Sequence, residues 1–237
     1  MNNNTMKGIM NYKEIIAKIK SFHNPKNIAG MARFGINVKN AYGVPMPELR
    51  KLGRMIKKDH QTAKQLWASG IHEARVLAGI IDDPKQVTPK QMEEWVKEFD
   101  SWDLCDQCCM NLFGETGFAL DKVVEWPKRK EEFVKRAGFA IMAVIAVHNK
   151  QLKDSDFDKL FPIIKRESTD ERNFVRKAVN WALRQIGKRN MELNKKAAAL
   201  ALELKNSKSK SARWIGTDAY RELTDPKILK RIKDKGR

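Results

Sequence analysis

Helix-forming signals run through this chain almost without interruption, and they constrain its fold more than any other feature. Apolar residues recur at the three- and four-residue spacing of amphipathic helices, while alternating runs of the kind that form strands are nearly absent. Proline follows a capping residue at Thr88-Pro89 and at Asp225-Pro226, which is typical of a helix start. The sequence therefore predicts an all-α protein, whose helices include 28–40 and 155–165.

A weak internal repeat indicates how these helices are arranged. Four stretches share a cation, a small residue soon after it and a helical apolar stripe, and aligning them on Arg75, Arg136, Lys177 and Arg213 gives separations of 61, 41 and 36 residues. The last two are close to the roughly 40 to 47 residues of HEAT and armadillo units, whereas the first requires an interposed, degenerate unit. We therefore expect a HEAT/armadillo-like superhelix, an α-α solenoid with a concave basic groove. An irregular helical bundle is the alternative.

Nothing in the sequence divides the chain. No linker rich in Pro, Gly or Ser interrupts the 237 residues, so we expect one helical-repeat domain over 1–237, with a flexible N-terminus at 1–10 and a basic C-terminal tail at 226–237. The longest nearly apolar run, 137–147, is too short for a membrane span, and the N-terminus lacks a secretory signal. Three cysteines, two of them adjacent, cannot form a disulfide framework. These features predict a cytoplasmic protein without membrane contact. The sequence leaves the oligomeric state open, and a monomer needs no further assumption.

The charge of the chain favours a polyanionic partner. The formal net charge is +18, and residues 188–237 carry 15 basic and 6 acidic side chains. Residues 82–125 carry 4 basic and 11 acidic side chains, so the two signs are segregated. Such a field attracts nucleic acid ahead of an acidic membrane, although a solvated basic tail is the alternative.

The predicted helix 170–188 has a large aromatic residue opposite its apolar stripe. At about 100° per residue, Trp181 lies on that opposite face with Asn173 and Asn180, among Lys177, Arg184 and Lys188. Cations for phosphates beside an indole for a base or sugar fit a nucleic-acid surface. Packing of Trp181 against a neighbouring helix is the alternative.

The predicted helix 102–113 places an anion beside an aromatic residue. Trp102 and Asp106 are one helical turn apart, and Asp106 points away from the apolar stripe. An aromatic face beside a carboxylate suits a cationic ligand or transition state. Alternatively, acidic residues at this helix start complement the helix dipole, which explains Asp103 better than Asp106.

The sequence contains no pattern typical of a metal or cofactor site. Cys105 and Cys108 have no second pair at zinc-site spacing, and the sequence contains no phosphate-binding loop and no dinucleotide fingerprint, so we expect neither metal nor cofactor. Arg136 borders an apolar run, where its guanidinium must reach solvent or an anion; we expect contact with a phosphate or a carboxylate.

Four segments carry a combined pattern that is more specific than any one of them. They are NPKNIAGMARFGINVKNAYGVPMPELRKLG (24–53), SWDLCDQCCMNLFG (101–114), VKRAGFAIMAV (134–144) and FVRKAVNWALRQIGKRN (174–190). In this order they resemble the HEAT-like-repeat DNA alkylation repair glycosylases of the AlkD type. The resemblance implies a solenoid that binds duplex DNA containing alkylated purines and hydrolyses the N-glycosidic bond of N3- and N7-alkylated purines, without metal or cofactor.

The resemblance also implies roles for individual residues. Asp106 matches the catalytic aspartate, Trp102 and Trp181 match tryptophans that face the deoxyribose of the lesion, and Arg136 matches a phosphate-contacting arginine. Phe34 departs from the pattern, which has a tyrosine there, so no hydroxyl contact is expected.

Further cations are expected to contact DNA from the same groove. They are Lys177, Arg184, Lys188 and Arg213. A non-catalytic helical-repeat scaffold that binds DNA or a protein partner is the alternative function.

Overall fold

The computed structural model describes residues 10–235, and every regular element among them is helical. The all-α prediction is confirmed. The α-helices are α1 (Tyr12–Ser21), α2 (Pro25–Arg33), α3 (Met46–Ile56), α4 (His60–Ala68), α5 (His72–Ile81), α6 (Pro89–Lys97), α7 (Trp102–Asn111), α8 (Ala119–Glu125), α9 (Glu132–His148), α10 (Asp154–Asp158), α11 (Phe161–Glu167), α12 (Asn173–Gly187), α13 (Met191–Lys205), α14 (Lys210–Leu223) and α15 (Pro226–Lys235). Short 3-10 helices cover Phe113–Glu115 and Trp126–Lys128. Among the described residues, no helix is both long and apolar enough to cross a bilayer.

The chain divides into two compact units, residues 1–88 and 89–237. The expectation of one domain over 1–237 stays a prediction. In the first unit, α5 packs against α3 and α4. Its buried Glu73 carboxylate accepts hydrogen bonds from the backbone N–H groups of Tyr42, Gly43 and Val44 at 2.6–3.2 Å, which fixes the loop before α3.

The second unit is built on a row of four helices. α7 packs on α9, α9 on α12, and α12 on α14, while α8, α11 and α13 lie against members of this row. α9 is central, because almost every side chain from Ala137 to Ala146 is buried. Side chains also tie the helices together at one end: Ser211 donates to the carbonyl of Asp170, and Arg172 donates to the carbonyl of Lys130.

The helices account for the uneven repeat spacing. The pair α6 and α7 lies in the sequence between the helices of Arg75 and Arg136, where an interposed unit was expected. Asp106 is the fifth residue of α7, as Arg136 is of α9 and Lys177 of α12.

Several predicted boundaries require correction. A helix expected over 28–40 ends at Arg33, because Gly35 turns the chain at a φ of 74°. A helix expected over 155–165 is two helices, and Pro162 lies in the first turn of the second, where its missing N–H costs nothing. Residues 226–235 of the expected tail form α15, which contacts α13 and α14 and buries Ile232. Of the N-terminal segment 1–10, residues 1–9 lie outside the described residues.

Candidate functional site

Helix α7 places Asp106 at the edge of the buried core. Its apolar stripe is buried as predicted, with Leu104 and Cys105 at 1 % and 0 % exposure. Asp106 projects from another face of α7, and 13 % of its side chain is exposed. Trp102, the first residue of α7, is partly buried one turn earlier. The helix therefore holds a carboxylate and an indole as neighbours.

Asp106 forms a two-point ion pair with Arg136 of α9. Nε of Arg136 donates to Oδ1 of Asp106 at 2.9 Å, and Nη2 donates to Oδ2 at 2.8 Å. The remaining terminal nitrogen, Nη1, donates to the backbone carbonyl of Phe174 on α12. A phosphate or a carboxylate was expected as the partner of Arg136, and the structure shows a carboxylate, that of Asp106. Arg136 is only 6 % exposed, and a role toward DNA phosphate stays a prediction.

Burial controls the electrostatics of this pair. Desolvation raises the pKa of the Asp106 carboxyl above its ordinary value; Arg136 opposes the rise, and the neighbouring Asp103 adds to it. The carboxyl consequently becomes protonated at a higher pH than an exposed aspartate. Above that pH it is an anion with a fixed orientation, and each oxygen has a lone pair beyond the one that Arg136 occupies.

Aromatic side chains of α9 and α12 lie close in sequence to Arg136 and to the Phe174 carbonyl that it binds. The rings of Phe133 and Phe174 lie with centroids 5.8 Å apart. Trp181 is partly buried and lies two turns after Phe174, which puts both on one side of α12. Hydrogen bonds therefore connect Arg136 to both Asp106 and the backbone of Phe174. The structure places Trp181 on the same helix as that backbone.

The cations expected on α12 have different surroundings. Lys177 is exposed, and the structure gives it no ion pair with any described residue. Arg184 donates to Glu222 of α14 at 2.6 Å, and Lys188 also pairs with Glu222. Although burial opposes the effect, Lys188 and Arg184 lower the pKa of Glu222. The DNA contacts of Arg184 and Lys188 stay predictions, and both side chains already have an anionic partner.

Two further positions were assessed from the sequence. Asn180, placed on the open face of its helix, is buried and donates to Asp218 at 2.7 Å, so that placement was wrong, because α14 packs there. Arg213 is exposed and donates to the carbonyls of Ser207 and Lys208 at 3.1 and 2.7 Å. Its DNA contact stays a prediction.

Sequence reasoning missed the stacking of Arg176 on Trp214 of α14. The guanidinium carbon lies 4.9 Å from the ring centroid. One signal was present, since Lys210 precedes Trp214 at the same spacing as Lys177 precedes Trp181.

The cysteines of α7 are structural. The thiols of Cys105 and Cys109 donate to carbonyls of α9 at 3.6 and 3.7 Å, and burial raises the pKa of both. Within residues 10–235, no group of three or more His, Cys, Asp or Glu side chains is arranged to hold a metal ion.

Comparison with known proteins identifies the fold and the family of this chain. A search of curated proteins gave no match. A solved structure from "a new family of proteins related to the HEAT-like repeat DNA glycosylases with affinity for branched DNA structures" is similar with a TM-score of 0.75 and 20 % identity, over 90 % of this chain and 95 % of that one. This likeness confirms the predicted HEAT-like repeat fold; the concave basic groove stays a prediction. The model of the family described as "DNA alkylation repair enzyme" matches residues 15–223, and the chain therefore belongs to that family.

Proposed function

We propose that this protein is a DNA glycosylase that hydrolyses the N-glycosidic bond of N3- and N7-alkylated purines in duplex DNA. The observation that carries the proposal is the buried Asp106 carboxylate, which Arg136 holds in a fixed orientation beside Trp102. The family supplies the context of alkylation damage.

The charge of the substrate explains why a carboxylate suffices. Alkylation at N3 or N7 makes the purine cationic, so it leaves with the electron pair of the C1′–N bond and needs no general acid. Positive charge then develops on the deoxyribose, as in other glycosidic hydrolyses. Asp106 stabilises this charge and orients a water molecule, whose oxygen bonds to C1′ while its proton passes to the carboxylate or to solvent.

The indole rings of Trp102 and Trp181 support the same step. The face of an indole carries partial negative charge and attracts cations. Either ring beside the sugar stabilises a cationic transition state more than the neutral ground state, and this difference accelerates the reaction. Trp102 lies on α7 and Trp181 on α12, and both helices pack against α9.

The overall charge supports DNA as the partner. A net charge of +18 provides long-range attraction to phosphates, and exposed Lys177 lies one turn from Trp181. A phosphate held by Lys177 positions the strand beside the indole.

A second candidate function is DNA binding without hydrolysis. Two observations favour it: Arg136 occupies both oxygens of Asp106, which weakens the field of the carboxylate, and the similar solved structure comes from a family with affinity for branched DNA. In that case the ion pair serves only to join α7 to α9.

Release of free 7-methylguanine from methylated duplex DNA, without added metal, distinguishes the two functions. We expect release by the wild type and a loss of about 10²–10³-fold or more in Asp106→Asn, whose affinity for duplex DNA is retained. Asp121→Asn, which removes the same charge from an exposed position on α8, should be fully active. Absence of release by the wild type, with duplex binding intact, would favour the non-catalytic function. Equal loss of binding and release in Asp106→Asn would show that the carboxylate is structural.

A further inference from the structure

A second cation–aromatic site lies on α14, outside the proposed catalytic centre. Trp214 is 38 % exposed, and Arg176 of α12 stacks over its ring at 4.9 Å. Trp214 therefore presents part of its ring to solvent beside a cation, which is the combination that stacks on bases in proteins that bind single strands.

The charge on the N-terminal side of Trp214 is positive, whereas the carboxylate of Asp218, one turn after Trp214, is already paired with Arg221 and Asn180. Residues 204–217 contain four cations and no acidic residue. Lys210 is exposed one turn before Trp214, and Lys177 is exposed next to Arg176 in α12. For Lys210, Lys177 and Arg176, no carboxylate among the described residues lies within ion-pair distance. This contrasts with Arg184 and Lys188, which share Glu222.

The spacing of lysine, tryptophan and a second cation on α14 reproduces the spacing on α12. KAVNWALRQIGK (177–188) and KSARWIGTDAYR (210–221) share a lysine, a tryptophan four residues later and a cation eleven residues after the lysine. These three positions lie on one side of a helix. Trp214 contacts Arg176, which precedes Trp181 by five residues, so the second indole lies nearer the N-terminal end of α12 than Trp181 does.

We propose that Trp214, with Arg176 and Lys210, binds an unpaired nucleobase of single-stranded DNA and its flanking phosphates. Any base can stack on an indole, because every base has a π-face. The carboxylates of an acidic peptide would pair with the lysines and would gain no binding energy from the indole. Arg176 holds one face of the ring in place and leaves the exposed part of the indole for the base. This site requires neither Asp106 nor an alkylated base, so it extends the proposed function and does not depend on it.

Fluorescence anisotropy with labelled oligo(dT) of about 12 nucleotides tests the site directly. We expect Trp214→Ala to weaken binding by roughly 5- to 150-fold, the range expected for loss of one stacked base, with no change in the salt dependence. Lys210→Ala should instead lower the log–log salt slope by about 0.7. Leu202→Ala, which truncates another exposed apolar side chain on α13, should bind as the wild type. Circular dichroism melting checks that each variant is folded.

Two competitors identify what the indole recognises. An abasic oligonucleotide of equal length should bind the wild type about as weakly as oligo(dT) binds Trp214→Ala, because it retains the phosphates and lacks the bases. The proposal is overturned if the abasic strand or poly-glutamate of equal charge binds the wild type as tightly as oligo(dT), or if Trp214→Ala binds oligo(dT) like Leu202→Ala. Asp106→Asn should bind oligo(dT) normally, so failure of the glycosylase proposal leaves this test intact.

Discussion

Replacement of Arg136 by alanine should destabilise the protein, because it leaves the Asp106 carboxylate without its cationic partner. The side chains of Arg136 and Asp106 are 7 % and 13 % exposed, and the substitution removes both hydrogen bonds of the pair and the bond to the Phe174 carbonyl. Removal of one partner of a buried ion pair costs about 3–5 kcal/mol. Because Asp106 retains some exposure, the lower end of that range, about 3 kcal/mol, is expected.

Urea denaturation followed by circular dichroism measures this cost. With a urea dependence of about 1–3 kcal/mol per molar, a loss of about 3 kcal/mol lowers the midpoint by roughly 1–3 M. Arg166→Ala is the matched control, since Arg166 is 50 % exposed and its ion pair with Glu167 is worth at most about 1 kcal/mol. Asp106→Asn in the Arg136→Ala background should recover part of the stability, because a neutral amide is cheaper to bury than a carboxylate.

The pH dependence provides an independent check on the same variant. Arg136 lowers the pKa of Asp106, so its removal raises that pKa further in the folded protein. A group whose pKa is higher in the folded state stabilises folding at low pH and loses this contribution as the pH rises through the folded pKa. The wild type should therefore exceed Arg136→Ala in stability by more at pH 8 than at pH 4. A gap that is constant with pH and no larger than that of Arg166→Ala would refute the reasoning.

Three further outcomes are expected. If Asp106 acts as an anion, 7-methylguanine release should rise with pH along an acid limb that lies above the ordinary range for aspartate, because burial raises its pKa; a pH–rate profile locates the limb. Gly216→Ala should cost about 1–3 kcal/mol or more in thermal or chemical unfolding, since a Cβ there would lie 2.2 and 2.5 Å from backbone atoms of α13, whereas Gly117→Ala, with nothing within 4 Å, should be nearly neutral. Lys177→Ala should lower the salt slope of duplex binding by about 0.9, and Lys188→Ala, whose charge is already paired, should lower it less.

Local patterns were sufficient to predict most of the helices and the environment of α7. The burial of Leu104 and Cys105 and the separate position of Asp106 all follow from a period of 3.6 residues. The same rule failed at Gly35, where one glycine in a left-handed conformation ends the helix.

Such local patterns do not predict which side chains contact each other between helices. Asp106 and Arg136 are 30 residues apart, and the sequence left phosphate and carboxylate open as partners of Arg136. The pairing of Arg184 with Glu222 spans 38 residues and depends on the register between α12 and α14. A one-turn shift of α14 would present a different carboxylate or none, and sequence periodicity does not determine that register.

The ties between helices in the second unit have a consequence for how the protein is made. Arg136 reaches Phe174 over 38 residues, Ser211 reaches Asp170 over 41, and Arg189 reaches Ala146 over 43. Each of these ties joins helices of neighbouring pairs and none joins distant ends of the unit, and such connectivity favours folding that propagates from one helix pair to the next. The ion pair between α7 and α9, and its anchor on α12, can therefore form during synthesis, before α14 and α15 have left the ribosome.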